Sequence, residues 1–217
     1  ITSDDPWFRP VMVTDAPDGS LYIADWYDKQ VNHYRNHEGQ IDKKLGRIYR
    51  IRNENFEPKK KINYRQLDEA ELINLLDSNS RWERRTALQQ IKLHYGFNGV
   101  EKTWSDNPKN KSQFEYIIGS NKNINLKKIS DPGIKGYALR RLSEENRYTK
   151  YTEQIISISI NEKNAEVVSQ LISSLSGVEL SLRNKLIENI LLRDEFSSDP
   201  FIPLQLWWSL ESAITEN

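Results

Sequence analysis

The chain has no cysteine. Disulfide staples, thiolate zinc sites, cysteine nucleophiles and a CxxCH haem attachment are therefore excluded for it. Its 3 histidines, His33, His37 and His94, are too few for an imidazole-rich metal centre. An excess of either charge is also missing: 31 Lys plus Arg balance 31 Asp plus Glu. Nucleic-acid binders carry a net basic face, so this balance removes nucleic acid as a default partner. Long apolar runs are lacking too. The longest resemble residues 155–160, far short of the roughly 18 residues that a membrane-spanning helix needs. No glycine-rich phosphate loop, serine nucleophile elbow or HExxH is present. Methionine occurs once, as Met12, and the chain starts at Ile1 without a signal-peptide pattern, so it reads as a piece of a longer protein. What is present suffices for a real core: 217 residues, 37% hydrophobic, with 6 tryptophans. One large domain or two small ones are expected.

The first 52 residues have β character. Val11-Met12-Val13 precede the turn Ala16-Pro17-Asp18-Gly19-Ser20, and Leu21-Tyr22-Ile23-Ala24-Asp25 then alternate, as do residues 46–52. Asp-Gly between two β-rich runs is a strong hairpin signal, because glycine accepts the positive φ that the turn requires. Three antiparallel strands follow from this. The link from Trp26 to Leu45 is longer than an ordinary hairpin loop, and long ordered loops are disproportionately functional. Residues 53–65 read as a linker, its three lysines a solvated tether.

From residue 66 the period changes from two to about 3.6. Apolar stripes form at Leu72, Leu75 and Leu76, at Ala87, Leu88 and Ile91, and at Ala138, Leu139 and Leu142. Others form at Val167, Val168, Leu171, Ile172 and Leu175, and at Leu182, Leu186, Ile190 and Leu191. Asp131-Pro132 and Asp199-Pro200 each place a capping carboxylate before a proline at the expected first helical position. The stripes repeat. Residues 80–88 superpose on 131–139 with an offset of 51 (131 − 80), while Ile134 to Val167 takes 33 and Val167 to Ile202 takes 35. Steps of this size fit a helix-turn-helix solenoid, with an insertion at residues 96–111 accounting for the long one. Four helix pairs are expected, their second helices starting near residues 80, 131, 164 and 199, and each pair depends on stacking for its core. An irregular helical bundle is the alternative. Trp207 and Trp208 beside Leu204, Leu206 and Leu210 read as a packed core helix, and Arg84, Arg85, Arg140 and Arg141 as surface residues, solvated or paired with glutamates.

An antiparallel hairpin brings the start of its first strand and the end of its second to one sheet edge. Arg9 therefore lies beside Asp25, Trp26, Tyr27 and Asp28, where the loop carrying His33 begins. Such a set can orient a polar cofactor or sugar, with Arg9 binding anionic oxygens and His33 acting as general base. Arg9, Asp25, Trp26 and Tyr27 are the cofactor-binding candidates. Asp25 and Asp28 are candidates for a hard cation such as calcium, which takes oxygen ligands. The same residues also suit plain structural work, the aspartates as turn caps and the aromatics packed beneath a loop.

The wording of three segments is informative: Asp4-Asp5-Pro6-Trp7-Phe8-Arg9-Pro10-Val11, residues 16–28, and Gly46-Arg47-Ile48-Tyr49-Arg50-Ile51. Together they resemble the last propeller blade of the bacterial membrane-bound dehydrogenases with large haem-binding proteins of planctomycete and verrucomicrobial type. Residues 80–87 and 199–211 are similar to that family's helical repeats. The resemblance implies a propeller like that of quinone-dependent glucose and sorbosone dehydrogenases, HEAT-like repeats, and in many members a c-type cytochrome domain. It implies a fold that is mainly α with a small β unit: a HEAT-like α-solenoid of about four helix pairs preceded by a three-stranded propeller-blade remnant. Domains of 1–52 (blade), 53–65 (linker) and 66–217 (repeats) are expected. The parent is implied to be an exported, periplasmic oxidoreductase using pyrroloquinoline quinone, calcium and haem c, while this piece holds no cofactor and is not catalytic by itself. Its implied partners are the rest of the propeller, the cytochrome domain and a sugar or glycan. The competing reading is a non-catalytic propeller and solenoid that bind a glycan or protein. The blade is expected either to rest on the first helices through Trp7, Trp26 or Tyr49 or to be poorly ordered.

Overall fold

Three strands open the chain: β1 (Pro10–Asp15), β2 (Leu21–Asp25) and β3 (Arg47–Ile51). They form one antiparallel sheet in the order β1-β2-β3, with Val13 opposite Ile23 and Ile23 opposite Tyr49. The computed structural model describes residues 2–28, 44–58, 61–96, 107–120 and 123–215. Gly19 takes φ +86° in the first hairpin turn, where an L side chain would be strained. The turn closes through Ala16 N–H to the Ser20 carbonyl at 2.9 Å. Asp18 Oδ1 accepts from the Ser20 backbone N–H and hydroxyl, and Arg50 of β3 pairs with Asp18 Oδ2. These bonds, those from Ser20 first, hold the Asp18 carboxyl below its ordinary pKa. Pro10 starts β1, an edge strand, where its missing N–H breaks no ladder bond.

The contacts within the chain divide it into two units, Ile1–Tyr95 and Gly96–Asn217. The first helices, α1 (Glu69–Leu75) and α2 (Arg81–His94), therefore belong with the sheet. Helix α1 carries a full capping box, Asp68 Oδ1 accepting from Glu71 N and Glu71 Oε2 from Asp68 N. Such reciprocal caps satisfy donors that a helix start leaves without partners. The sheet meets α2 through Asp15, whose Oδ2 accepts from the Trp82 backbone N–H at 2.7 Å. The Trp82 ring meets Tyr64 edge-on at 5.2 Å. This differs from the expected anchors. Trp7 stacks on Tyr27 and Tyr49 packs edge-on against Phe8, while Trp26 is half exposed. Those aromatics serve the far end of the sheet, whereas Asp15, at the hairpin end, is the residue within reach of a helix start that needs an acceptor.

The second unit holds α3 (Lys111–Gly119), α4 (Pro132–Glu144), α5 (Thr152–Asn161), α6 (Ala165–Ser173), α7 (Leu180–Leu191) and α8 (Ile202–Thr215). With α1 and α2 these make four helix pairs among the described residues, and the second helix of each starts within three residues of its expected position. Asn110, Asp131, Asn164 and Glu179 cap α3, α4, α6 and α7 by accepting first-turn N–H groups. Asp199 does the same for Phe201 and Ile202, so α8 begins two residues after Pro200 and not at it. Helix α4 packs on α6, α6 on α8 and α5 on α7, the neighbour-on-neighbour order of a solenoid. Leu139, Leu142, Leu171, Ile172, Leu186 and Ile190 are fully buried along these contacts. Each contributes about 1.5–3 kcal/mol relative to an exposed position.

Arg141 binds Glu115, Glu144 and Glu145, joining α3 to α4, and Arg140 pairs with Glu144. Arg84 differs, donating to the carbonyls of Ser78 and Asn79. The expected core role of Trp207 and Trp208 is not met: they are 63% and 57% exposed. At 100° per residue, the buried Ile202 and Leu206 lie on the side of α8 opposite the two tryptophans, and described neighbours cover only the former. Leu191 is exposed for the same reason. Among the described residues no helix is long and apolar enough to cross a membrane.

Candidate functional site

The end of the first hairpin gathers most of the candidate residues. Pro10 stands opposite Asp25 in the ladder, and a bulge follows between Pro10 and Met12. Arg9 is thereby carried against the end of β2, where Trp26 N–H donates to its carbonyl at 2.9 Å. Asp25, 4% exposed, is the centre of the arrangement. Its Oδ1 accepts from the backbone N–H of Arg9 at 2.8 Å and of Tyr27 at 3.0 Å. The Tyr49 hydroxyl donates to Oδ2 at 3.4 Å. The bond to Tyr27 is the two-residue Asp turn that aspartate makes readily. It fixes Tyr27 at φ 50°, a left-handed conformation uncommon outside glycine, asparagine and aspartate.

Tyr27 in turn carries an aromatic and cationic layer. Its ring stacks on Trp7 at 5.9 Å, and the Arg47 guanidinium lies 3.9 Å from its centroid. Arg47 Nη1 is 3.7 Å from Asp5 Oδ2. The Tyr49 hydroxyl, and next the Tyr27 hydroxyl, raise the Arg47 pKa above its ordinary value. Arg47, Tyr49 and Asp5 are members of the cluster that sequence reasoning missed. The signal was available: β3 runs antiparallel to β2, so its first residue, Arg47, pairs with Asp25, the last of β2.

Arg9, Asp25, Trp26 and Tyr27 are thus brought together, with buried Asp28 next in sequence. The Arg9 side chain donates from Nη1 to the Phe8 carbonyl at 2.8 Å. His33, and with it the proposed general base, lies outside the described residues, as does most of the loop from Trp26 to Leu45. The geometry assigns Asp25 a clear physical task. A carboxylate oxygen that takes two backbone N–H bonds clamps the chain entering β1 to the chain leaving β2, and that oxygen is committed. Calcium takes six to eight oxygens. The Asp25–Asp28 pair alone does not amount to such a cage, and among the described residues no group of three or more His, Asp or Glu is placed to hold a metal ion.

A second feature of the same unit is a groove of about 890 Å³ over the sheet face that carries Met12, Tyr22 and Ile48, walled by Ile62, Tyr64 and Trp82. Burial, and next the Glu83 carboxylate that accepts from its hydroxyl, push the Tyr64 pKa up. A neutral phenol therefore lines the groove at ordinary pH.

No curated protein and no solved structure matches the chain. Residues 1–55, which carry the sheet and the whole Asp25 cluster, match a family model described as a domain of unknown function (DUF7133).

Proposed function

We propose that the chain is a structural joint in an exported oxidoreductase. In this reading its sheet is one blade of a sugar- or alcohol-dehydrogenase-like propeller, and its helical repeats form a HEAT-like spacer leading to a c-type cytochrome domain. The observation that carries the blade reading is a sheet apolar on both faces and, among the described residues, without a strand beyond β1 or β3. Met12 and Ile48 are 60% and 73% exposed on one face, and Val13 and Leu21 are 61% and 45% exposed on the other. A sheet with one wet face alternates apolar and polar residues, whereas apolar residues on both faces belong to a sheet covered twice. Propeller blades are covered in that way by their neighbours.

The resemblance of residues 4–28 and 46–51 to the dehydrogenase-type propeller supports the rest of the reading. The commitment of Asp25 to backbone N–H groups supports a non-catalytic role for this piece, with quinone and calcium held by the remainder of the propeller. The native full-length protein, loaded with pyrroloquinoline quinone and calcium, is then expected to reduce a covalently attached haem when a sugar or alcohol is added. Absence of both quinone binding and substrate-dependent haem reduction would overturn the proposal.

The groove lined by Tyr22, Tyr64 and Trp82 favours one alternative, a non-catalytic glycan- or protein-binding scaffold, because aromatic faces suit sugar rings and apolar side chains alike. Glycan retention by the 217-residue chain without cofactor, lost on Trp82→Ala, is the outcome that alternative expects.

A further inference from the structure

We propose that the groove between the sheet and the start of α2 binds an organic cation with an apolar tail, its quaternary ammonium head held by Asp15, Tyr64 and Trp82. The floor of the groove is graded by strand register. One row across the sheet is Met12, Ala24 and Ile48, apolar throughout. The next is Thr14, Tyr22 and Arg50, and it leads to the hairpin end, where the wall holds a carboxylate and two further aromatic rings. At about 890 Å³ the groove lies in the size range of small-ligand sites.

Asp15 supplies the charge. Its Oδ2 is fixed by the Trp82 backbone N–H at 2.7 Å, and no hydrogen bond takes Oδ1, so the group is held in place with one oxygen open. The Trp82 ring extends from the residue that fixes this carboxylate, and Tyr64 meets that ring edge-on at 5.2 Å. Ring faces attract cations through their quadrupole, tryptophan most strongly, and a carboxylate beside them adds a full opposite charge. The Tyr64 hydroxyl donates to Glu83 Oε1 at 3.4 Å, so the ring is what this residue offers the groove.

The other charges on the walls do not cancel Asp15. Asp18 is paired with Arg50. Lys61 is exposed and makes no ion pair with Asp15, so water screens its charge, whereas Asp15 is half-buried. A hard metal ion is a poor occupant, because one open oxygen is far from the six to eight that calcium takes. Neither the head nor the tail position depends on the chain being part of a dehydrogenase. In an assembled propeller a neighbouring blade would roof the tail at Met12 and Ile48, whereas the head sits at the hairpin end beside α2.

An NMR titration of the 217-residue chain tests this, following the Tyr64 and Trp82 backbone amides. Choline and its neutral carbon isostere 3,3-dimethylbutanol share a shape, and choline is expected to bind at least about 10-fold more tightly. Butyltrimethylammonium is expected to bind about 10-fold more tightly than tetramethylammonium. A fully buried methylene is worth about 4-fold, and Met12 and Ile48, 60% and 73% exposed, cover the tail only in part. Asp15→Asn keeps an oxygen for the Trp82 N–H, so it is expected to lose the preference for choline and leave binding of the isostere unchanged. Should that variant misfold, the two ligand pairs on the unaltered chain still decide the question. Equal affinity for choline and its isostere overturns the proposal and leaves a merely apolar groove. So do shifts confined to residues away from Tyr64 and Trp82, a preference for choline that survives in Asp15→Asn, or no saturable shift with any of the four probes.

Discussion

Asp25 decides whether the hairpin end is a clamp or a reactive site, and two substitutions separate these. Asp25→Ala removes the acceptor of the Arg9 and Tyr27 N–H groups, bonds of 2.8 and 3.0 Å made by a side chain only 4% exposed. Each buried donor left without a partner costs about 1–3 kcal/mol. Arg9 and Tyr27 are only half-buried, so water repairs part of the loss, and a total of about 2–3 kcal/mol is expected. Asp25→Asn keeps an oxygen in the same place, and both N–H groups still find it. Its cost is expected to stay below about 1 kcal/mol, since the acceptor survives and only the charge assistance is lost. Because the chain has two units, a single melting curve does not isolate the effect. Amide hydrogen exchange in β1 and β2 does. There, 2–3 kcal/mol appears as roughly 30- to 150-fold faster exchange in Asp25→Ala and little change in Asp25→Asn. Equal loosening in both variants would refute the clamp, because the negative charge and not the acceptor would then be what the fold needs. Calcium that slows exchange in the unaltered chain but not in Asp25→Asn would refute it in favour of a cation site.

Two further outcomes test the helical unit. Gly136, inside α4, would place an added Cβ 3.5 Å from Gln170 Cβ, an ordinary contact. Gly136→Ala is therefore expected to stabilise the unit by up to about 1 kcal/mol through helix propensity, read as a rise in denaturation midpoint; a fall would show that α4 and α6 lack that room. Burial, and next its hydrogen bond to Glu115 at 2.7 Å, push the Tyr137 hydroxyl from its ordinary 10.0 up to about 12. A raised folded-state pKa means that this contribution is complete below pH 10.0 and disappears as pH climbs through about 12. Urea midpoints measured across that window should fall more steeply for the unaltered chain than for Tyr137→Phe, and parallel curves would contradict the assignment.

The elements themselves were legible because each rests on a local signal. Asp-Gly in the turn, alternation in β2, and Asp131-Pro132 ahead of α4 all act within a few residues, and the repeat spacing placed the second helix of every pair. Helix α3 gave no comparable stripe in the reading of the sequence, although Phe114, Tyr116, Ile117 and Ile118 are all buried. A helix covered on most sides loses the polar face that reveals its period. At the candidate site, hairpin geometry correctly brought Arg9 to Asp25. It did not reveal which Arg9 atom would be used: the backbone N–H, and not the guanidinium, makes the short bond to the carboxylate. Strand alternation fixes the side on which a residue lies, whereas the identity of the bonded atom depends on the bulge after Pro10 and the left-handed turn at Tyr27, neither of which has a sequence signature of its own.

The misreading of Trp207 and Trp208 follows from a related limit and leads further. Periodicity reports which residues share a face; it does not report whether that face finds a partner within the chain. Apolar residues at α8 were therefore assigned to the core by composition, and those of the sheet were divided between faces without knowing that both would stay open. Each of the two units keeps an apolar surface that its own described residues do not cover, around Met12, Val13 and Ile48 in one and around Phe201, Trp207 and Trp208 in the other. Isolated exposed apolar side chains are ordinary, but rows that follow the period of their own strand or helix are not, because a row presents a surface that a matching element can bury. Among the described residues the sheet rows carry open backbone edges and ask for strands or blades, while the α8 row has its backbone satisfied internally and asks only for side chains. The two surfaces therefore differ in the partner they accept. Exchange protection at the β1 and β3 edges and protection at residues 201–211 should accordingly respond to different additions.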